Sequence, residues 1–259
     1  MNQMLTLAFL ISMLSCGTKT ESGATEATAS IQKESFDSTE LVIDSMMIDS
    51  VVIDYDSILQ IGNQKFAVTE SRDTQPFKGM DLRFWPKEDS ILALDPNVSR
   101  IGDSLVFNTS ENGNVCIENV PYGEDDEMES AFFYLQGDQF SPGYWELFAV
   151  GYEYHWSVLV SKTTGDTTCF HGRPLFSPDG KYVITGNPDL EAAFTENGFE
   201  FYNYANNSFK RIGQLDPLNW GPYVMKWISN SEILVKAGTL EYKDQYQITF
   251  KNIVLRMLN

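Results

Sequence analysis

Residues 173–184 read Arg173-Pro174-Leu175-Phe176-Ser177-Pro178-Asp179-Gly180-Lys181-Tyr182-Val183-Ile184. An aromatic strand end runs into a Ser-Pro-Asp-Gly turn, and an apolar strand leaves it. The ring of Pro178 holds φ near about −65°, which suits the first corner of a tight turn, and Gly180 supplies the positive φ that closes one. On both sides of this stretch the chain alternates short apolar or aromatic runs with Gly, Asn, Asp and Pro. Strands are expected at Ser104–Asn108, Asn114–Val120, Ser130–Leu135, Trp145–Val150, Tyr152–Ser161, Thr167–His171, Tyr182–Thr185, Phe199–Tyr204, Phe209–Ile212, Tyr223–Ile228, Glu232–Lys236 and Gln245–Arg256. No segment has a convincing helical period. Asn112-Gly113 suggests a type I′ hairpin turn, and hairpins are also expected at Thr164-Gly165 and Asn206-Asn207.

The strand–turn–strand pattern returns in weaker form at Met225-Lys226-Trp227-Ile228-Ser229-Asn230-Ser231-Glu232-Ile233-Leu234-Val235, and more faintly from Phe84 to Ala93. With Ser177, Pro178, Asp179 and Gly180 as its structural turn, the unit resembles the recurring element of WD-like and Tol-type periplasmic β-propellers. Phe176 and Trp227 lie 51 positions apart, against about 40–45 residues for such a repeat. The resemblance implies a small or incomplete β-propeller-like domain of roughly four or five blades. The expected fold class is therefore all-β and antiparallel over residues 61–259, with a β-sandwich as the alternative.

The first fifteen residues carry no charge, and Met4 to Leu14 is apolar apart from Thr6 and Ser12. Spanning a bilayer core takes about 20 such residues, so residues 1–15 are expected to be a signal peptide. The sequence Met13-Leu14-Ser15-Cys16-Gly17 resembles the lipobox of bacterial lipoproteins, which makes Cys16 the lipidated residue and the new N-terminus. Met13 stands where that pattern usually has Leu, and Met1-Asn2-Gln3 lacks the usual Lys or Arg. In that family an Asp after the Cys favours the inner membrane. Gly17 at that position implies a lipid-anchored place in the cell envelope, at the outer membrane. A secretory signal cut nearby, with Cys16 an incidental thiol, is the other reading. Cys116 and Cys169 then either form one disulfide or are two small apolar residues.

Residues 16–60 form an expected disordered acidic tether. They hold nine acidic residues against Lys19 and Lys33, so −7 of the net charge of −18 lies there. Ile43-Asp44-Ser45, Ile48-Asp49-Ser50 and Ile53-Asp54-Tyr55 repeat with a period of five, which matches neither helix nor strand. Asp44-Ser45-Met46, Asp49-Ser50-Val51, Asp56-Ser57-Ile58, Asp89-Ser90-Ile91 and Asp103-Ser104-Leu105 resemble the O-glycan acceptor triplets of Bacteroidetes envelope proteins. The acidic balance argues against nucleic acid, which needs clustered Lys and Arg.

Enzyme signatures such as G-x-S-x-G, the Walker loop, H-E-x-x-H, C-x-x-C and G-x-G-x-x-G are missing, and His155 and His171 are the two histidines. Glu124-Asp125-Asp126-Glu127-Met128-Glu129 puts five carboxylates into six residues but lacks the calcium-loop spacing. It is expected to be a solvated loop, and no metal or cofactor is expected. Ten aromatics fall in the 25 residues from Phe132 to Trp156. Most such density fills cores, and what remains makes Tyr144, Trp145, Tyr152, Tyr154 and Trp156 the candidate binding residues. The expected function is a non-catalytic, lipid-anchored envelope protein that binds or scaffolds a protein or glycan partner. The alternative is a carboxylate-dependent glycan hydrolase or lyase, which requires two carboxylates within about 5–10 Å in one cleft.

Overall fold

The computed structural model describes residues 53–54, 56–73, 75–78, 88–121, 130–137, 143–192, 194–217, 219–243 and 245–258. The signal peptide, Cys16, most of the tether with its Ile-Asp repeat, and the acidic run from Glu124 to Glu129 lie outside the described residues.

Short β-branched and aromatic runs between turn residues form four antiparallel sheets, taken largely in chain order. The first contains β3 (Val98–Ile101), β4 (Ser104–Thr109) and β5 (Gly113–Glu118). The second is the meander β6 (Phe132–Gly137), β7 (Tyr144–Val150), β8 (His155–Ser161) and β9 (Thr167–Phe170). The third is β10 (Leu175–Phe176), β11 (Tyr182–Asn187), β12 (Gly198–Ala205) and β13 (Ser208–Leu215). The fourth brings both ends of the described chain together. β14 (Trp220–Trp227), β15 (Glu232–Lys243) and β16 (Gln245–Leu258) are extended by β2 (Gln64–Glu70) and β1 (Ile58–Ile61), in the order β1-β2-β16-β15-β14. Among the described residues, the one α-helix is α1 (Glu88–Leu92).

Each of the twelve expected runs contains a strand, while β1, β2, β3 and β10 lie outside those runs. Two of these four are four residues long and one is two, too short for a period to declare itself. Three expectations are corrected. The faint repeat copy ending at Ala93 is no strand where it is described: Glu88–Leu92 is helical, with Glu88 and Asp89 in the first turn favoured by the helix dipole. Asn112-Gly113 is no type I′ turn. Thr109 pairs with Gly113 across three loop residues, and Gly113 takes φ 68° while Asn112 keeps an ordinary φ. Thr109 Oγ1 holds that loop, donating to the Gly113 carbonyl at 2.8 Å and accepting from the Asn112 amide at 3.2 Å. The ordered body also starts before residue 61, since Ile53 is 2% exposed in the core and β1 begins at Ile58.

Other turn expectations agree with the structure. Asn206 and Asn207 both sit in the left-handed region, at φ 51° and 56°, between the paired Ala205 and Ser208. That is the two-residue loop whose twist matches the flanking strands. In the Ser177 turn the Gly180 amide donates to the Ser177 carbonyl at 2.8 Å, with Gly180 at φ 68°. Ser177, 3% exposed, accepts the Tyr182 amide on Oγ at 3.0 Å and donates to Asp179 at 2.7 Å.

Three apolar layers join consecutive sheets. Leu105, Phe107 and Ile117 of the first meet Phe133, Leu135, Leu147 and Val158 of the second. Tyr144, Leu159 and Phe170 of the second meet Val183 and Tyr202 of the third. Ile184, Phe199 and Phe201 of the third meet Phe66, Val68, Val235 and Leu255 of the fourth. Strand β8 is buried on both faces, with Val158 and Val160 in one layer and Leu159 in the next. The β1–β2 hairpin reaches β13 because two glycines oppose one another there. A Cβ on Gly62 would lie 2.1 Å from the Ile212 carbonyl oxygen, and one on Gly213 would lie 2.3 Å from the Gly62 nitrogen.

Candidate functional site

Buried acids in otherwise apolar strands mark the region worth building. Glu146 lies within Tyr144-Trp145-Glu146-Leu147 of β7, and Glu200 within Phe199-Glu200-Phe201-Tyr202 of β12. They are 2% and 4% exposed. A carboxylate this deep needs partners. Glu146 takes a two-point ion pair from Arg173 on the β9–β10 link, Nε to Oε1 at 2.7 Å and Nη2 to Oε2 at 3.1 Å. Burial still pushes its pKa above the usual carboxylate range, with the guanidinium opposing that shift.

Glu200 accepts the His171 backbone N–H at 3.2 Å and the Thr185 hydroxyl at 3.3 Å, and the Arg211 guanidinium stands 3.5 Å away. Burial, and then Glu200 itself, raises the pKa of the neighbouring Tyr202 phenol. The β11–β12 loop supplies the second carboxylate. Asp189 organises it by accepting from the Ala192 amide, the Thr195 amide and the Thr195 hydroxyl. Asn187, 2% exposed, donates to the Thr195 hydroxyl oxygen and the Glu196 carbonyl. Glu196 is thereby aimed back at the sheet, where its Oε2 lies 3.1 Å from His171 Nδ1 and accepts from Gln214. Gln214 in turn accepts from Arg211. Asn197 donates to Asp216 and to the Trp220 carbonyl, both at 3.0 Å.

These groups surround a shallow recess with about 10 Å³ of space that a water molecule can reach, lined by His171, Thr185, Asn187, Glu196, Asn197 and Gln214 with Gly198, Phe199 and Glu200. That is below the ~300–1,000 Å³ of ordinary ligand pockets. The head of a side chain or a small polar group suits it better than a sugar ring. Glu196 reaches the His171 side chain at Nδ1 and Glu200 reaches its backbone N–H, so one residue links the two carboxylates. The sequence marks His171 only as one of two histidines, and it does not mark the partners at all. The legible signal is an acid between aromatics in an expected strand, a position that a charge occupies only with partners.

The candidate binding aromatics separate. Tyr144 and Trp145 are 5% and 2% exposed, which takes them out of any surface. Tyr144 bonds the Asn207 carbonyl and the Tyr204 hydroxyl, and the Trp145 indole donates to Asp95 Oδ2 at 2.7 Å. Tyr152 is 37% exposed, in the turn that precedes β8. Tyr154 stacks on Trp156 at 5.1 Å, and both are half-buried. His155 is exposed, with its ring on Phe148 at 5.4 Å; desolvation lowers its pKa and Asp189 opposes that. Cys169 on β9 is a free thiol on a different sheet from Cys116 on β5, so the Cys116–Cys169 disulfide left open above is not formed. Among the described residues, no three His, Cys, Asp or Glu side chains converge on a metal position, and no helix is long and apolar enough to cross a membrane.

Compared with protein-family models, with curated proteins and with solved structures, the chain matches none.

Proposed function

We propose that this protein is a lipid-anchored binding or scaffolding protein of a bacterial cell envelope, displayed at the outer membrane on an acidic spacer, with an envelope protein or glycan as partner. The observation that carries the reading is Cys16 at the end of the apolar run Met4–Leu14, followed at once by the polar, acidic segment. We further propose that the four sheets are blades of a small β-propeller-like body, with the N-terminal strand β2 completing the last blade. Sheets in chain order, apolar layers between consecutive sheets and a sheet made from both chain ends support this over a two-sheet sandwich.

The test is metabolic labelling with a palmitate analogue and fractionation of the envelope. The parent chain should carry label and sediment with outer membrane, and Cys16→Ala should lose the label and turn soluble. Unchanged sedimentation of the variant sinks the anchor. The second reading, a carboxylate-dependent glycan hydrolase or lyase, rests on Glu196 and Glu200 lining one recess. It predicts glycan cleavage that Glu196→Gln abolishes.

A further inference from the structure

Strands β15 and β16 run on past the strands that flank them. Pairing of β14 with β15 ends at Trp220 and Thr239, and pairing of β2 with β16 ends at Glu70 and Ile253, with one further bond from the Ser71 amide to the Asn252 carbonyl at 2.9 Å. Beyond Ser71 the chain turns off, where Asp73 Oδ1 accepts the Gln75 amide at 2.9 Å and Pro76 follows. Gln245–Lys251 of β16 therefore has β15 on one side and no strand on the other among the described residues. Successive residues of a strand turn their backbone groups to opposite sides. With Asn252 facing β2, the amides and carbonyls of Phe250 and Ile248 face that open edge. Such an edge is a template for another strand. Other edges are guarded: β1, β3 and β9 are four residues long, β6 and β14 carry bulges, and β13 exposes Lys210 and Arg211. The open stretch of β16 has seven residues, no proline and an unbroken register with β15. Phe250 is 46% exposed beside it, with the Tyr223 ring edge-on at 5.0 Å and Lys236 Nζ 4.1 Å from its centroid.

We infer that two copies of this chain pair antiparallel along Gln245–Lys251, about a two-fold axis at Ile248. A two-fold interface must be self-complementary, and this stretch is. The register sets Ile248 opposite Ile248, Gln247 opposite Thr249 and Lys251 opposite Gln245, so no charge meets its like. It also uses the whole open edge and stops short of β2 in both copies. About six main-chain hydrogen bonds form. Ile248 of each copy comes diagonal to Phe250 of the other, within reach of an aromatic ring. The inference goes beyond the lipid anchor and does not rest on it.

The test is sedimentation equilibrium of the full chain in a density-matched detergent. A contact of one strand pair falls below the ~1,200 Å² of a stable interface, so the parent should dimerise with a Kd of about 10–100 µM. Ile248→Pro removes an amide that β15 does not use and should weaken the dimer at least about tenfold. Ile248→Lys sets like charges opposite one another at the axis and should do the same. Residue 248 lies beyond the paired ends of β14 and β2, so circular-dichroism melts of both variants should match the parent's. A parent that stays monomeric to about 200 µM overturns the inference and leaves the edge to a strand of another protein. It is equally overturned by a dimer that a variant melting like the parent leaves unchanged. Palmitate labelling is untouched by any of these outcomes, so a failure here is distinct from a failure of the anchor.

Discussion

The indole of Trp227 donates its N–H to the carbonyl of Leu175 at 2.9 Å. Trp227 ends β14 and Leu175 begins β10, next to Phe176, the residue that matches Trp227 in the repeat. The two better copies of the unit are therefore joined at their aromatic strand ends. The rest of the ring packs against the apolar layer between the third and fourth sheets. Trp227→Phe keeps most of the apolar contact but leaves the carbonyl without this donor, for an expected loss of about 1 kcal/mol. Trp227→Ala should cost about 3 kcal/mol or more. Urea unfolding of the two variants checks the order, and a Trp227→Phe midpoint equal to the parent's would show that the hydrogen bond contributes nothing.

Arg173 and Glu146 form a buried pair, and removing one member differs from removing both. Arg173→Leu leaves an uncompensated carboxylate at 2% exposure, for an expected loss of about 3–5 kcal/mol. Glu146→Gln is milder, and Arg173→Leu with Glu146→Leu should recover much of the single-variant loss. The acid also sets a pH dependence. Its pKa is raised in the folded state from an ordinary 4.5, so its favourable contribution is complete below that value and lost as pH rises through the folded one. The deficit of Glu146→Gln relative to the parent should therefore shrink from acid toward neutral pH. A deficit that grows over that range refutes the assignment.

The Ser177 turn separates side-chain bonding from backbone preference. Gly180 sits at φ 68° with open space around it, so Gly180→Ala should cost about 1 kcal/mol from conformation alone. Ser177→Ala removes bonds to the Tyr182 amide and to Asp179 from a buried site and should cost about 1–2 kcal/mol. Thermal melts of both variants test this, and a neutral Ser177→Ala would show that the turn needs no hydroxyl.

Pairing of β2 with β16 and of β1 with β2 makes residues 58–70 integral to the fourth sheet. A chain beginning at residue 72 loses Ile61, Phe66 and Val68, each 2% exposed or less, at about 1.5–3 kcal/mol apiece. It also opens the β16 edge from Ile253 to Leu258. That sum rivals the whole stability of a typical domain, so the shortened chain should be unfolded or aggregated by circular dichroism. A chain beginning at residue 53 should melt like the parent. Cooperative melting of the shorter chain would show that β2 is dispensable.

Local signals are the most legible ones in this chain. Asn206-Asn207 specifies its own turn, because both residues tolerate a left-handed backbone and the twist of a two-residue loop demands it. At Asn112-Gly113 the same reasoning fails, since Thr109 offers the backbone a competing hydrogen-bond partner. The aromatic cluster fails in another way. Whether Tyr144 and Trp145 reach the surface depends on which faces of β7 are covered, and both are covered by sheets that lie elsewhere in the sequence.

By itself the sequence determined the β-rich class, the positions of twelve strands, the Ser177–Gly180 and Asn206-Asn207 turns and an apolar run that stops just before Cys16, because each depends on residues within a few positions of one another. Tertiary structure alone decided that β2 pairs with β16, placing Thr69 opposite Val254, and that His171, Glu196, Glu200 and Gln214 share one recess. Pairing across so many intervening residues is chosen by the burial of whole faces, as with Phe66 and Val68 against Phe201, and no local period carries that information. A buried acid can be flagged from its aromatic neighbours, but only the packed sheets supply its partner.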